Sequence, residues 1–395
     1  MSVFSRIAEY HRGREPERLA IKYQKMTADP FAFFRGTPNL FYEDWKDSAV
    51  AETPLVWLCG DLHIENFGTY RGDNRSTYFD FNDFDEACLG PASWDLARLV
   101  TSVAIEALER EWRVKQVRDL CEALLDSYAT ALTSGKARWI ERETAQGIVQ
   151  DLFQTLGLRT PQAFLAARTE LHRRHRLIRT DGAKALPLAD KRDAARLASL
   201  VDSFGRFHYL DAARRVAGNS SLGVPRFVVL VENKDAEQFL LDLKQAGPPV
   251  ALGFQSGPAQ PKWKSHAARV VEVQSMVQAI PPAFLRAVEF DGASWVLREL
   301  MPGEDRVDVA QASTPKFIEH AKSLGQVVAW GHLRSGGRLG SATIDALIHF
   351  GERRAWRSAI ARYAVVYAGR VRKDWEKFCR EYQPAKKKAR AASRN

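Results

Sequence analysis

The most informative segment of the chain is Cys59-Gly60-Asp61-Leu62-His63-Ile64-Glu65-Asn66. An apolar run at residues 54–59 leads into it and is typical of a short buried strand. The pattern therefore predicts that Asp61 emerges at a strand end, with Asn66 five residues later in the same loop. This arrangement suits phosphoryl transfer, because an Asp can orient the proton of an attacking hydroxyl while an Asn oxygen ligates Mg²⁺.

A second acidic segment follows one predicted hairpin later. Residues 67–71 and 76–81 flank the turn cluster Gly72-Asp73-Asn74 and predict two paired strands. Four carboxylates then fall within seven residues, at Asp80, Asp83, Asp85 and Glu86. Carboxylates this close repel one another unless water or a cation neutralises them. The interleaved phenylalanines favour partial burial, so we interpret the segment as a divalent-metal site, with a solvated acidic loop as the alternative.

Elsewhere, hydrophobic periodicity divides the chain into helical and β-rich parts. The segment from Trp94 to about Ser134 fits two helices, the first of which Asp95 could cap, and residues 138–215 also indicate mostly helix. A β-rich unit follows, with strands predicted at 224–231, 237–243 and 285–300 and a helix at 267–279. The pattern is helical again from Pro315 to about Tyr382.

The run from Gly60 to Asn66 resembles the catalytic loop of the aminoglycoside phosphotransferase and choline kinase group, which usually reads His-Gly-Asp, four residues and Asn. Cys59 stands where that group has His. A metal-binding Asp in that group lies twelve residues before an Asp at a helix start, and Asp83 and Asp95 have this spacing. The site that the resemblance implies comprises a catalytic base at Asp61 and metal-binding side chains at Asn66 and Asp83, with Asp80 and Asp85 as neighbours of the metal.

The chain resembles more closely a bacterial family, the domain-of-unknown-function family 2252. This resemblance covers most of the chain and is carried by residues 25–26, 30–36, 60–68 and 82–86. It implies a kinase-like fold and assigns no activity.

The nucleotide-binding part of such a fold is predicted after the catalytic loop. An ordinary kinase places a glycine-rich loop and a lysine before that loop, but only about sixty residues precede Asp61. Near the start of the β-rich unit, backbone N–H groups of a glycine-rich turn could cradle phosphates. Lys244 at the end of the next strand could hold the α- and β-phosphates, and Glu272 could pair with Lys244. The predicted nucleotide site comprises Gly218, Ser220, Ser221, Gly223, Lys244, Glu272 and the hinge-like Glu299.

These parts together predict an α+β, two-lobed protein-kinase-like fold that is circularly permuted. We expect a mostly helical large lobe and a small β-rich nucleotide lobe. Permutation is physically reasonable, because chain termini often lie close together at a surface. The predicted parts are a large-lobe segment with the catalytic and metal loops (1–215), the nucleotide lobe (216–302), returning large-lobe helices (303–383) and a disordered basic tail (384–395).

The composition limits the cellular compartments and the kinds of partner that we expect for this protein. Of the net charge of +10, five positive charges lie in the last twelve residues, so a nucleic-acid partner is not expected beyond weak contact by the tail. The four cysteines have no disulfide or metal-site spacing. We also find no apolar stretch of membrane-spanning length and no secretory signal at the start. These features predict a cytoplasmic protein.

The function predicted from the sequence is an ATP- and Mg²⁺-dependent phosphotransferase that acts on a hydroxyl of a small molecule. One alternative is a nucleotide-binding pseudokinase or regulatory module, which Cys59 and Ser220 favour as departures from the usual motifs. A nucleotidyl transferase on the same fold is a second alternative. The third is a metal-dependent phosphohydrolase built on the acidic cluster at residues 80–85.

Overall fold

The computed structural model describes residues 1–45, 50, 53–157, 159–173, 175–182, 184–217, 222–301 and 305–392. It is an α+β structure with many helices and several small sheets. The elements of the first half are α1 (Val3–Tyr10), α2 (Pro16–Met26), α3 (Pro30–Gly36), α4 (Pro38–Asp44), β1 (Leu55–Leu58), β2 (Phe67–Arg71), β3 (Thr77–Phe81), β4 (Cys88–Pro91), α5 (Ala92–Glu109), α6 (Val114–Thr133), β5 (Ile140–Glu141), α7 (Gly147–Leu156), α8 (Pro161–Ala166), β6 (Thr169–His172), β7 (His175–Ile178) and β8 (Ala185–Leu186).

The second half begins with the β-rich unit and ends in long helices. Its elements are α9 (Arg192–Asp202), β9 (Phe207–Arg215), β10 (Arg226–Asn233), β11 (Gln238–Gln245), α10 (Ala251–Phe254), α11 (His266–Val277), β12 (Arg286–Phe290), β13 (Ala293–Leu300), α12 (Thr314–Ser335), α13 (Ile344–Glu352) and α14 (Ala355–Ala392). Among the described residues, no helix is both long enough and apolar enough to cross a membrane.

Local sequence signals account for the elements around the acidic segments. The apolar run before Asp61 forms β1, which pairs with β4, and the predicted hairpin forms β2 and β3. Helix α5 is buried along almost its whole length, as its dense apolar spacing predicts. Its buried first turn lies directly beside the end of β1, because Asp95 accepts hydrogen bonds from the backbone of Cys59 and Gly60.

The β-rich unit is a six-stranded antiparallel sheet in the order β12-β13-β11-β10-β9-β8. Apolar side chains cover both of its faces, because successive residues of each strand point to opposite sides. One face packs against α9 through Leu197 and Val201, and the opposite face carries a smaller apolar cluster around Leu240 and Leu300.

The expectation of mostly helix over residues 138–215 is wrong in part. The basic stretch from Leu171 to Arg179 contributes to the β6–β7 hairpin, which turns at Arg173 with a φ of 59°. Strand β9 also lies in this segment. A run of charged side chains is compatible with either a helix face or an exposed hairpin, so charge alone did not distinguish the two.

The largest hydrophobic cluster joins both ends of the chain. It contains side chains from Val3 to Leu156 and again from Val307 to Tyr382, together with α11, Val250, Ala251 and Val296. Helix α14 packs against both α5 and α1, and the backbone N–H of Phe4 donates to Glu381 Oε2 at 2.9 Å. The structure also continues α14 to Ala392, through most of the segment expected to be a disordered tail.

Candidate active site

The loop that carries Asp61 is held by a carboxylate from α5. The backbone N–H groups of Cys59 and Gly60 donate to Asp95 Oδ2 and Oδ1 at 2.7 and 3.0 Å. Helix α5 begins after Pro91 without a side-chain cap, so Asp95 anchors the loop instead of capping its own helix. Burial raises the pKa of Asp95 to about 7, and the two backbone donors oppose that rise.

A glycine is required at the turn into this loop. Gly60 has a φ of +82°, and a Cβ added there would lie 2.0 Å from the backbone oxygen of Glu86. The Tyr42 hydroxyl also donates to the Gly60 carbonyl oxygen. The start of the Asp61 loop therefore packs directly against Glu86 of the acidic segment. This contact brings together two stretches that are separated in sequence.

Asp61 is buried and forms an ion pair with Arg98 of α5. Arg98 Nε donates to Asp61 Oδ1 at 2.7 Å, and the Arg98 side chain has no exposed surface. The guanidinium lies 4.2 Å from the ring centroid of Phe34 and also donates to the Phe34 carbonyl oxygen at 3.2 Å. Burial raises the pKa of Asp61, and Arg98 opposes this effect. Because both close Arg98 contacts fall on Oδ1, Oδ2 is the oxygen that could face a substrate.

Arg98 is a site residue that the sequence reasoning missed. A signal for it exists: an arginine three residues after Asp95, in a helix whose other neighbouring positions are nearly all apolar. A charge buried on such a helix requires a partner, and residues three apart lie on the same helix face. Both side chains therefore project from one face of α5 toward the Asp61 loop.

Asn66 closes the loop and connects it to the acidic segment. Its side-chain nitrogen donates to the backbone oxygen of Asp61 at 2.7 Å, and its own backbone oxygen accepts from the N–H of Asn82 at 3.0 Å. With the nitrogen engaged, the amide oxygen is the atom that Asn66 could offer to a metal. Asp83 follows Asn82 in the chain, and its carboxylate is about one-third exposed.

Lys244 reaches from the sheet to the acidic segment. Its Nζ contacts Asp85 Oδ2 and lies 4.0 Å from Asp83 Oδ1. Burial would raise the pKa of Asp83, but Lys244 and Arg306 outweigh it and hold that pKa below its usual value. Burial raises the pKa of Asp85 despite its contact with Lys244. Lys244 engages Asp85 more closely than Asp83, so the Asp83 carboxylate is the more available of the two as a metal ligand.

Two predicted residues lie in other contacts. Asp80 is buried and accepts hydrogen bonds from Arg334 Nη2 at 2.8 Å and from the backbone N–H of Ala279 at 3.1 Å. Glu272 is exposed on α11, and the structure pairs Lys244 with the acidic segment instead. Neither residue therefore contributes to the site in the way that its position in the sequence indicated.

The remaining nucleotide-site residues are divided between the site and other regions. Gly223 has a φ of +93° and lines a cavity that also includes Asp85. Glu299 is buried and forms an ion pair with Arg75 of the β2–β3 turn at 2.7 Å, which joins the sheet to that hairpin. Gly218, Ser220 and Ser221 lie outside the described residues.

The residues of this site fit a magnesium ion that takes only some of its ligands from the protein and the others from substrate phosphates and water. Within the described ranges, no group of three or more His, Cys, Asp or Glu side chains is arranged to hold a metal by itself. Mg²⁺ is commonly bound through one or two carboxylates, with substrate phosphates and water as the other ligands. The Asn66 amide oxygen and the Asp83 carboxylate provide oxygen ligands of that kind.

Two cavities meet at Asp85. The first, of about 110 Å³, lies between the acidic segment and the sheet and is lined by Asp83 and Lys244. The second, of about 500 Å³, lies between the N-terminal helices and the sheet and is lined by Tyr10 and Glu86. Burial raises the pKa of the Tyr10 phenol, and the nearby charges of Glu86 and Asp61 raise it further. Glu86, which lines the larger cavity, is also the residue whose backbone lies against Gly60 at the start of the Asp61 loop.

Comparison with known proteins gives one match. No curated protein and no solved structure matches the chain. A family model described as "Uncharacterized protein conserved in bacteria (DUF2252)" matches residues 14–381, which is most of the chain. The chain therefore belongs to the DUF2252 family.

Proposed function

We propose that this protein is an ATP- and Mg²⁺-dependent phosphotransferase of kinase-like type that acts on a hydroxyl group of a small molecule. One chain of contacts supports the proposal: the Asn66 side chain bonds to the Asp61 backbone, the Asn66 backbone bonds to Asn82, and Lys244 contacts the acidic segment that follows Asn82. A general base, a metal ligand and a phosphate-binding cation are the parts that phosphoryl transfer requires.

Asp61 is the proposed base. In the reaction, the substrate oxygen forms a bond to the γ-phosphorus while the bond between that phosphorus and the β–γ bridging oxygen breaks, and ADP leaves. The hydroxyl proton passes to Asp61. Arg98 and the Asp95-anchored backbone fix the carboxylate, so catalysis would come from positioning and charge stabilisation.

Asn66 and Asp83 are the proposed metal ligands, and Lys244 is the proposed phosphate anchor. A bound Mg²⁺ would neutralise charge on the phosphates. Lys244 now contacts Asp85, and the phosphates of a bound nucleotide would compete for the same ammonium group. The cavity lined by Tyr10 and Glu86 is the proposed entrance for the hydroxyl substrate, because it borders Asp85 and because the backbone of Glu86 lies against Gly60.

The proposed two-lobed, circularly permuted arrangement is supported by the hydrophobic cores. The main cluster draws on both chain ends, whereas the six-stranded sheet between them has its own apolar clusters on two faces. The chain contributes to the main cluster, then forms the six-stranded sheet, and then contributes to the main cluster again. Circular permutation requires this connectivity.

A second candidate is a nucleotide-binding module without transferase activity. The observation that favours it is the buried ion pair between Arg98 and Asp61, because Arg98 occupies one oxygen of the carboxylate that would accept the proton. The phosphohydrolase alternative is less well supported, because Asp80 of its acidic cluster is held by Arg334.

Transfer can be tested with the purified chain, Mg²⁺ and [γ-³²P]ATP against a panel of small alcohols, amino alcohols and sugars. The expected result is label in a small-molecule product, lost in Asp61→Asn and retained in Glu272→Gln, an exposed position outside the cleft. Nucleotide binding without labelled product for any acceptor class would support the second candidate. Full transfer by Asp61→Asn would refute the assigned base.

A further inference from the structure

The cleft-facing side of the six-stranded sheet changes from charged to apolar in three rows. Antiparallel pairing aligns residues of β13, β11 and β10, and side chains two residues apart on a strand share one face. The rows are Val296–Lys244–Arg226, then Arg298–Asp242–Val228, then Leu300–Leu240–Leu230. The face therefore presents cations nearest the acidic segment and aliphatic carbons farthest from it.

A cluster of arginines surrounds Asp242 in the charged rows. Arg226 Nε donates to Asp242 Oδ1 at 2.7 Å, Arg215 Nη1 lies 2.8 Å from Oδ1, and Arg298 Nε lies 3.7 Å from Oδ2. We call these three residues the arginine cluster. These arginines hold the pKa of Asp242 well below its usual value despite its burial. Its carboxylate therefore keeps the three guanidinium groups in place.

The arginine cluster faces the same cavity as Asp83 and Lys244. The described residues that line this cavity include five cationic and three acidic side chains, an excess of two positive charges. Lys244 and Arg306 are the other two cations. A concave, partly buried surface with this balance favours a polyanion, because guanidinium groups form paired hydrogen bonds to phosphate oxygens.

The apolar row forms the floor of an adjoining cavity of about 390 Å³. Val228, Leu240 and Leu300 line it from the sheet, and Ile178 of the β6–β7 hairpin lines it from above. The backbone N–H of Ile178 donates to Asp211 Oδ2 of β9 at 2.7 Å, which fixes the hairpin over the sheet. Charged side chains, among them Arg168 and Lys184, also line this cavity, and an apolar floor with polar edges is suited to a flat heteroaromatic ring.

The distance along β11 from the apolar row to Lys244 matches the length of a single elongated ligand. Leu240 and Lys244 are four residues apart on one strand, or about 13 Å at a rise of about 3.3 Å per residue. Ala217 lines both cavities, so the two spaces adjoin at that residue. A molecule with phosphates at one end and an aromatic ring at the other would span them.

We infer that the arginine cluster binds phosphates of a nucleoside triphosphate, and that the base lies on the apolar row beneath the β6–β7 hairpin. The inference rests on the proposed function for the identity of the donor, and it adds two subsites that Lys244 alone does not supply. The terminal phosphate would lie at Lys244 and Asp83, the remaining phosphates along Arg226 and Arg298, and the base over Leu240.

Calorimetric titration of the full chain with Mg²⁺ and three probes separates the subsites. The probes are ATP for the whole site, tripolyphosphate for the charged rows and adenosine for the apolar row. For the wild type, we expect ATP to bind at least about tenfold more tightly than tripolyphosphate, since burial of a base adds apolar contact. Equal affinity of the two would overturn the base subsite.

Two variants with matched controls test the assignment. Ala217→Phe fills the junction and should reduce ATP affinity to that of tripolyphosphate, whereas Ala195→Phe, on the exposed side of α9, should not. Arg298→Gln should weaken ATP and tripolyphosphate alike by roughly 10- to 100-fold, the effect of losing a charged hydrogen bond, and leave adenosine unchanged. Arg286→Gln on edge strand β12, which does not line the cavity, is the control.

The outcomes distinguish this inference from the proposed function. ATP binding that depends on Ala217 and Arg298, without phosphoryl transfer to any acceptor, would uphold the subsites and refute the activity. Transfer and ATP binding that are lost in Lys244→Ala but unchanged in Ala217→Phe and Arg298→Gln would refute the subsites alone. Failure of wild type to bind ATP or tripolyphosphate would refute both.

Discussion

Replacement of Arg98 by Met should expose how much the ion pair with Asp61 contributes to stability. Neither side chain has appreciable exposure, so the substitution leaves a carboxylate buried without its guanidinium partner. Removal of one member of a buried ion pair typically costs about 3–5 kcal/mol in the free energy of unfolding. We expect a loss of that size for Arg98→Met at pH 8.

The coupling between the two side chains can be measured with a double-mutant cycle. In the Asp61→Asn background, Arg98→Met removes a charge that already lacks its partner, so the same substitution should cost about 2–3 kcal/mol less. Equilibrium urea unfolding followed by tryptophan fluorescence is a suitable assay, because Trp57 and Trp94 are buried in the same hydrophobic cluster. An equal cost in both backgrounds would refute the ion-pair explanation.

The loss of stability in Arg98→Met should also depend on pH, and proton linkage determines whether it grows or shrinks as pH rises. Without Arg98, burial raises the pKa of Asp61 in the folded state further above its unfolded value of about 3.9. Between these two values the folded state binds the extra proton, so stability falls as pH rises. Arg98→Met should therefore be closer to wild type at pH 5 than at pH 8, and a deficit that grows on acidification would contradict this account.

Three further predictions concern neighbouring residues. Gly60→Ala should destabilise the fold more than Gly13→Ala in urea unfolding, because both have positive φ but only Gly60 lacks room for a Cβ; equal losses would contradict this. Asp83→Asn should abolish Mg²⁺-dependent nucleotide binding in calorimetry, whereas Asp80→Asn should mainly lower thermal stability; the reverse pattern would reassign the metal ligand. The pKa of Asp95 is raised to about 7, so its contribution to the free energy of unfolding falls as pH rises from about 4 to 7. Asp95→Asn should therefore flatten a plot of unfolding free energy against pH over that range.

Local pattern was sufficient to predict most elements near the site. The strand before Asp61, the hairpin after it and the helices that follow were all predicted, because short-range hydrophobic spacing and turn residues determine them. The close approach of Asn66 to the acidic segment followed from the same elements, since one hairpin separates the two stretches in sequence.

Pairings between distant segments could not be predicted in the same way. The sequence indicated Glu272 as the partner of Lys244, but the ammonium contacts Asp85, which lies 159 residues earlier in the chain. The roles of Asp95 and Arg98 likewise depend on how α5 meets the end of β1. Such contacts depend on tertiary packing, and the local spacing of residues does not predict which charged side chains will form a pair.

The packing of α14 against α5 has a consequence for biosynthesis. Helix α5 carries the two side chains that hold the Asp61 loop, yet part of its surface is covered by an element made more than 240 residues later. A nascent chain emerging from the ribosome would expose the apolar surface of α5 until α14 appears, which favours chaperone binding in that interval. Assembly of the Asp61 loop would then be one of the last events in folding, although its residues are among the first to be synthesised.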